Sequence, residues 1–180
     1  MGNVLLGVSI VATALFVACS SDDESTPVAT EDGGAPTAAA TEAPNAGTSN
    51  DNVCALLTVE DLDSATGLTW GEGVFNESLS SDQQFICDWT ATEGGFATAQ
   101  VLVQPTDDSF GSNRNSAESV FGLADAPSIS GADETYATEE GSLIGMRIGG
   151  EFVQVSYIPP DPGNVLDATT QLAQAVANRK

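Results

Sequence analysis

The sequence predicts an α+β domain over residues 52–180, an antiparallel β-sheet with helices packed on one face. Three observations predict it. Leu143 to Ile148 and Glu151 to Ile158 are alternating β-prone runs joined by Gly149-Gly150, a two-residue turn that tolerates positive φ. Val165, Leu166, Thr169, Leu172, Ala173 and Val176 recur on one face of a terminal helix. Along the whole domain the signals alternate as helix, hairpin, helix, hairpin, helix, an order that suits a sheet of local hairpins. That order admits two degenerate helix-plus-hairpin halves, although no residue-level repeat marks them.

Before the domain comes an apolar segment, Val4 to Val17, ending Phe16-Val17-Ala18-Cys19 and followed at once by Ser20-Ser21-Asp22-Asp23-Glu24. It is short for a membrane span and fits the apolar region of a signal peptide, so residues 1–18 are predicted to be removed on export. Ala18 directly before a cysteine is the lipobox arrangement, in which the Cys19 thiol takes a diacylglyceryl group and becomes the mature N-terminus. Phe16 stands where Leu is usual, and no Lys or Arg precedes the apolar run. Each buried methylene of a lipid anchor contributes roughly 0.8 kcal/mol, so several chains hold a protein to the membrane permanently. The expected location is the outer face of the cell membrane.

Residues 19–51 read as a tether. From Ser20 onward the composition is Ala, Thr, Pro, Ser, Gly and acid, with Val28 the only large aliphatic residue, which buries too little surface to offset ordering entropy. As a flexible coil it reaches about 30 Å on average. Its contour limit is about 100 Å. Its Thr-Pro-Ala stretches, such as Ala35-Pro36-Thr37, resemble O-glycosylated stalks.

Within the domain, Thr58 is placed to cap a helix with Asp61 returning the bond, and Gly67 sits where that helix stops. Val59, Leu62 and Ala65 then face the core. Phe85-Ile86-Cys87-Asp88-Trp89 is β-prone, and Ala97, Ala99, Val101 and Val103 alternate on one face of a second strand beyond a Glu93-Gly94-Gly95 turn. A helix is expected from Ser116 to Asp125, with Ala117, Val120, Phe121 and Ala124 inward, before Pro127. Pro159-Pro160 ends the last strand, and Arg179 and Lys180 complement the negative end of the terminal helix.

With Cys19 assigned to the lipid, Cys54 and Cys87 remain, an even pair in an oxidising compartment that either bridges or stays as two buried thiols. A bridge would stabilise the domain by about 3 to 4 kcal/mol. Acid dominates: 26 acidic residues stand against 4 basic ones, with no histidine and a formal net charge of −22. Such a chain repels phosphate backbones, and Arg114, Arg147, Arg179 and Lys180 are scattered, so nucleic acid is excluded as a partner.

The order of several short motifs resembles a known family. They are Asn52-Val53-Cys54-Ala55-Leu56-Leu57-Thr58-Val59-Glu60-Asp61-Leu62, then Cys87-Asp88-Trp89, then Gly131-Ala132-Asp133-Glu134-Thr135-Tyr136, then Arg147-Ile148-Gly149-Gly150. Together they resemble the actinobacterial lipoproteins grouped as domain of unknown function 3558, with a lipobox, a low-complexity tether, a Cys-Leu-Leu-Thr opening and a Cys-x-Trp strand. The resemblance implies that Cys54 and Cys87 pair. It implies no activity. Thr135 departs from the small apolar residue expected there.

The absence of histidine removes Ser-His and Cys-His nucleophiles and every imidazole metal site, and the only lysine is Lys180. The cysteine spacing matches no zinc pattern. Asp107 to Glu118 spans a calcium-loop length, but Ser112 replaces the glycine at the sharp turn and Arg114 adds positive charge. Gly145 and Gly149-Gly150 read as turn or bulge glycines, and Trp70, Trp89, Phe85 and Phe96 as core aromatics, with the lining of a pocket as the alternative. No cofactor, metal or catalytic residue is therefore expected.

The expected role is a non-enzymatic binding module of the cell envelope, meeting a protein, a wall component or a lipid while a lipid anchor holds it to the membrane. An alternative is a carrier of an apolar ligand, which needs a hollow between sheet and helices. A second alternative is a hydrolase that uses carboxylates alone, which needs two acids converging in a cleft.

Overall fold

The computed structural model describes residues 53–180, so the signal segment, Cys19 and the tether lie outside the described residues. A 3-10 turn, Cys54–Leu56, leads into α1, Val59–Thr66. Thr58 Oγ1 accepts from the Asp61 N–H at 3.3 Å and Asp61 Oδ2 accepts from the Thr58 N–H at 2.9 Å, the reciprocal cap that the spacing predicts. The helix stops at Gly67.

The remaining elements are β1 (Thr69–Trp70), β2 (Val74–Phe75), β3 (Phe85–Glu93), β4 (Thr98–Gln104), α2 (Phe110–Phe121), β5 (Leu123–Ala124), β6 (Glu134–Thr138), β7 (Leu143–Ile148), β8 (Glu151–Ile158) and α3 (Leu166–Ala177). The strands form one eight-stranded sheet in the order β1-β3-β4-β8-β7-β6-β5, with β2 also paired to β3 and every pairing antiparallel. The architecture is α+β, as the sequence predicts. The hairpins β3–β4 and β7–β8 meet at their last strands, where Val101 lies opposite Val155.

Strand register assigns the two faces. Cys87, Val101, Val155 and Ile144 stand side by side across β3, β4, β8 and β7, all buried. Against this face pack Leu62 of α1 and Leu172, Ala173 and Val176 of α3. Trp89, Leu57, Leu62, Val101, Ile144 and Met146 are each no more than 1% exposed, so the space between sheet and helices is filled with side chains. Burial of each such side chain contributes roughly 1.5 to 3 kcal/mol.

The helices divide between the faces. α1 and α3 share one face, while α2 covers Tyr136 and Phe152 on the other, in a smaller cluster with Phe110 and Ala117. The helices that precede the two hairpins thus contribute to different clusters, on opposite sides of the sheet. A repeat by rotation about the β4–β8 seam would put those two helices on the same side, so the helices do not repeat with the hairpins.

α2 also starts earlier than its spacing predicts, at Phe110 rather than Ser116. Phe110 sets the start: its ring meets Tyr136 edge-on at 5.5 Å and Phe152 at 6.1 Å, and the Arg147 guanidinium lies 4.9 Å over it. Ala117, two turns on, follows it into the interface, which turns Val120 and Phe121 outward at 69% and 51% exposure. Asp107, the first position of the calcium-loop pattern, instead pairs with Arg147 at 2.8 Å.

Gly145 is neither turn nor bulge. It lies inside β7, between Tyr136 and Gln154, and a Cβ there would stand 2.2 Å from the Tyr136 ring, so glycine makes room for that ring on the sheet. Gly149 and Gly150, by contrast, do form the hairpin turn, with φ of 57° and 81°. At the chain end Arg179 donates to the Ala175 carbonyl and pairs with Asp61 at 2.9 Å, tying α3 to the cap of α1, while Lys180 pairs with Glu151.

Candidate functional site

Cys54 and Cys87 are bonded, with Cα atoms 5.2 Å apart. The bond joins the 3-10 turn to the middle of β3, on the face that α1 and α3 cover. It is a structural tie at the domain's entrance. Cys19, the predicted lipidation site, lies outside the described residues.

Where β4 ends and α2 begins, the chain builds a polar groove of about 700 Å³. Gln104, the last residue of β4, is its centre. Its Nε2 donates to Gln84 Oε1 at 3.2 Å, its Oε1 accepts from the Ser109 hydroxyl, and Gln84 Nε2 donates in turn to the Leu79 carbonyl at 3.0 Å. One wall is the tight turn at Ser81, where the Ser81 N–H donates to the Gln84 carbonyl at 2.7 Å. The other is Pro105-Thr106, held when the Thr106 carbonyl accepts from the Phe152 N–H at 3.3 Å. Asp82 and Asp108 line the groove, and no cation does.

Beyond this groove the sheet face left uncovered by α2 carries polar side chains in register. Asp88 is opposite Gln100, which is opposite Ser156. Asp88 Oδ1 accepts from Gln100 Nε2 at 2.8 Å and Oδ2 from Asn76 Nδ2 at 2.6 Å, which fixes the carboxylate and both amides. Groove and face together offer preset donors and acceptors on rigid strands, a surface suited to hydrogen-bonded recognition.

Trp70 and Trp89 belong to the core and Phe85 packs against it, whereas Phe96 at the β3–β4 turn is 77% exposed. Among the described residues no group of three or more His, Cys, Asp or Glu side chains could hold a metal ion. Among them no helix is long and apolar enough to cross a membrane. Sequence reading missed the groove because its two walls are distant in the chain. The signal was the pair of glutamines, Gln84 and Gln104, that bracket the β3–β4 hairpin.

No family model, curated protein or solved structure matches this chain. The resemblance to the domain of unknown function 3558 lipoproteins rests on the order of the motifs.

Proposed function

We propose that this chain is an exported lipoprotein, anchored through Cys19 to the outer face of the cell membrane, whose domain is a non-enzymatic binding module of the envelope. Its binding surface is the polar groove around Gln104 and the adjoining face around Asp88. One observation carries the reading: both glutamines and the Asp88 carboxylate are already oriented by neighbours on the strands, so a partner finds them preorganised. The Cys54–Cys87 bond supports an oxidising compartment. The tether supports a domain that ranges clear of the bilayer. Because the space between sheet and helices is occupied by side chains, a carrier of apolar ligands would have to open its core, and we favour recognition at the surface.

Photo-crosslinkers placed singly at Asp82 or Gln83, and at Asp161 as a remote control, test the reading in the intact host. A discrete adduct from the groove positions alone is expected. Equal adducts from all three positions, or none from the groove, would remove the groove as the binding surface.

A further inference from the structure

A second cleft, of about 270 Å³, opens where the start of α1 faces β3, and it shares no lining residue with the groove. Trp89 lines it while being only 1% exposed. Its indole Nε1–H makes no hydrogen bond among the described residues and yet is not sealed off, whereas Trp70 donates its own Nε1–H to Thr66 Oγ1 at 2.9 Å. Gly73 keeps that donor uncovered, since a Cβ there would lie 2.7 Å from Trp89 Nε1. A donor left without a protein partner in a nearly buried ring favours a ligand that brings an acceptor to it.

The rest of the lining defines what that ligand carries. Thr58 is committed to the helix cap, donating to Asp61 Oδ2 at 2.8 Å and accepting from the Asp61 N–H at 3.3 Å. Glu60 and Glu72 line the cleft as exposed carboxylates with no cation among the lining residues. An acceptor is needed toward Trp89 and a positive, donating group toward the glutamates. A hydroxyl beside an ammonium meets both. The volume lies below the roughly 300 Å³ at which pockets begin to hold drug-sized ligands, so the cleft takes one small unit. We propose that this cleft binds a hydroxyl-bearing primary amine, an amino-sugar unit in particular, with one hydroxyl accepting from Trp89 Nε1–H and the ammonium held by Glu60 and Glu72.

The test uses the full chain, whose two tryptophans give two indole signals in a ¹H–¹⁵N spectrum. Trp70→Phe assigns them by removing one. Titration with glucosamine is compared with glucose, which lacks the ammonium, and with ethylamine, which lacks the hydroxyls. The expected result is a saturable shift of the Trp89 indole signal with glucosamine, stronger than with either comparison compound. The Glu60→Gln and Glu72→Gln double variant changes only exposed side chains, and it should weaken that binding by about three- to tenfold. A folded chain whose Trp89 signal does not move overturns the proposal, as does glucosamine binding undiminished in the double variant or equal to that of glucose or ethylamine. Since the crosslinker positions Asp82 and Gln83 line the groove and not this cleft, failure here leaves the groove reading standing, and failure there leaves this one.

Discussion

Gly145 and Tyr136 form a close contact, a ring lying on a strand where any side chain would intrude. Gly145→Ala places a methyl 2.2 Å from that ring, and the displacement is expected to cost about 2 kcal/mol, read as a lower denaturant midpoint. Tyr136 also makes stability depend on pH. Burial pushes its phenol up from the ordinary 10.0 to about 12, and burial raises Tyr157 in the same direction. A group whose folded pKa is raised contributes stability that is complete below its unfolded value. The contribution disappears as pH rises through the folded value. Between about pH 10 and pH 12 the domain should therefore lose about 2 kcal/mol through Tyr136. Tyr136→Phe keeps the ring and should flatten much of that decline with little change at neutral pH. A decline as steep in the variant would show that another group drives alkaline unfolding.

At the scale of elements, the legible parts are those whose determinants are local. Thr58, Asp61 and Gly67 mark both ends of α1 within a few residues, and alternation in β4, β7 and β8 needs only the strand itself. Thr58→Ala removes the reciprocal cap and should cost about 1 kcal/mol, seen as a lower thermal midpoint. β1, β2 and β5 have two residues each, too few for a period to register, and β6 is recognised only through its pairing with β7. The start of α2 was hidden for a different reason. Phe110 stands alone in a polar stretch, and it is tertiary contact with Tyr136, Phe152 and Arg147 that draws the helix back to it. Arg147 holds that start by stacking on Phe110 while pairing with Asp107 and Glu134. Arg147→Gln should loosen α2 by about 1 kcal/mol, detectable as faster amide exchange in α2 than in α3.

For the whole molecule, charge and the disulfide set the terms of stability. Of the four cations, Arg147, Arg179 and Lys180 are turned into ion pairs within the domain, so the surface is left strongly acidic. Added salt should raise the melting temperature by screening that repulsion. The Cys54–Cys87 bond spans 33 residues, and reducing it should remove about 3 to 4 kcal/mol, or about 10 °C in melting temperature. The groove was not legible in the sequence because Ser81 to Gln84 and Gln104 to Ser109 meet only after the β3–β4 hairpin has folded. The proposed anchor, by contrast, rests wholly on Ala18-Cys19 and the segments on either side. The measurement that tests the central claim most directly is the intact mass of the chain extracted from its own host's membranes. The account predicts a mass for residues 19–180 with a diacylglyceryl group on Cys19 and the Cys54–Cys87 bond closed. A chain that retains residues 1–18 and carries no lipid would contradict it.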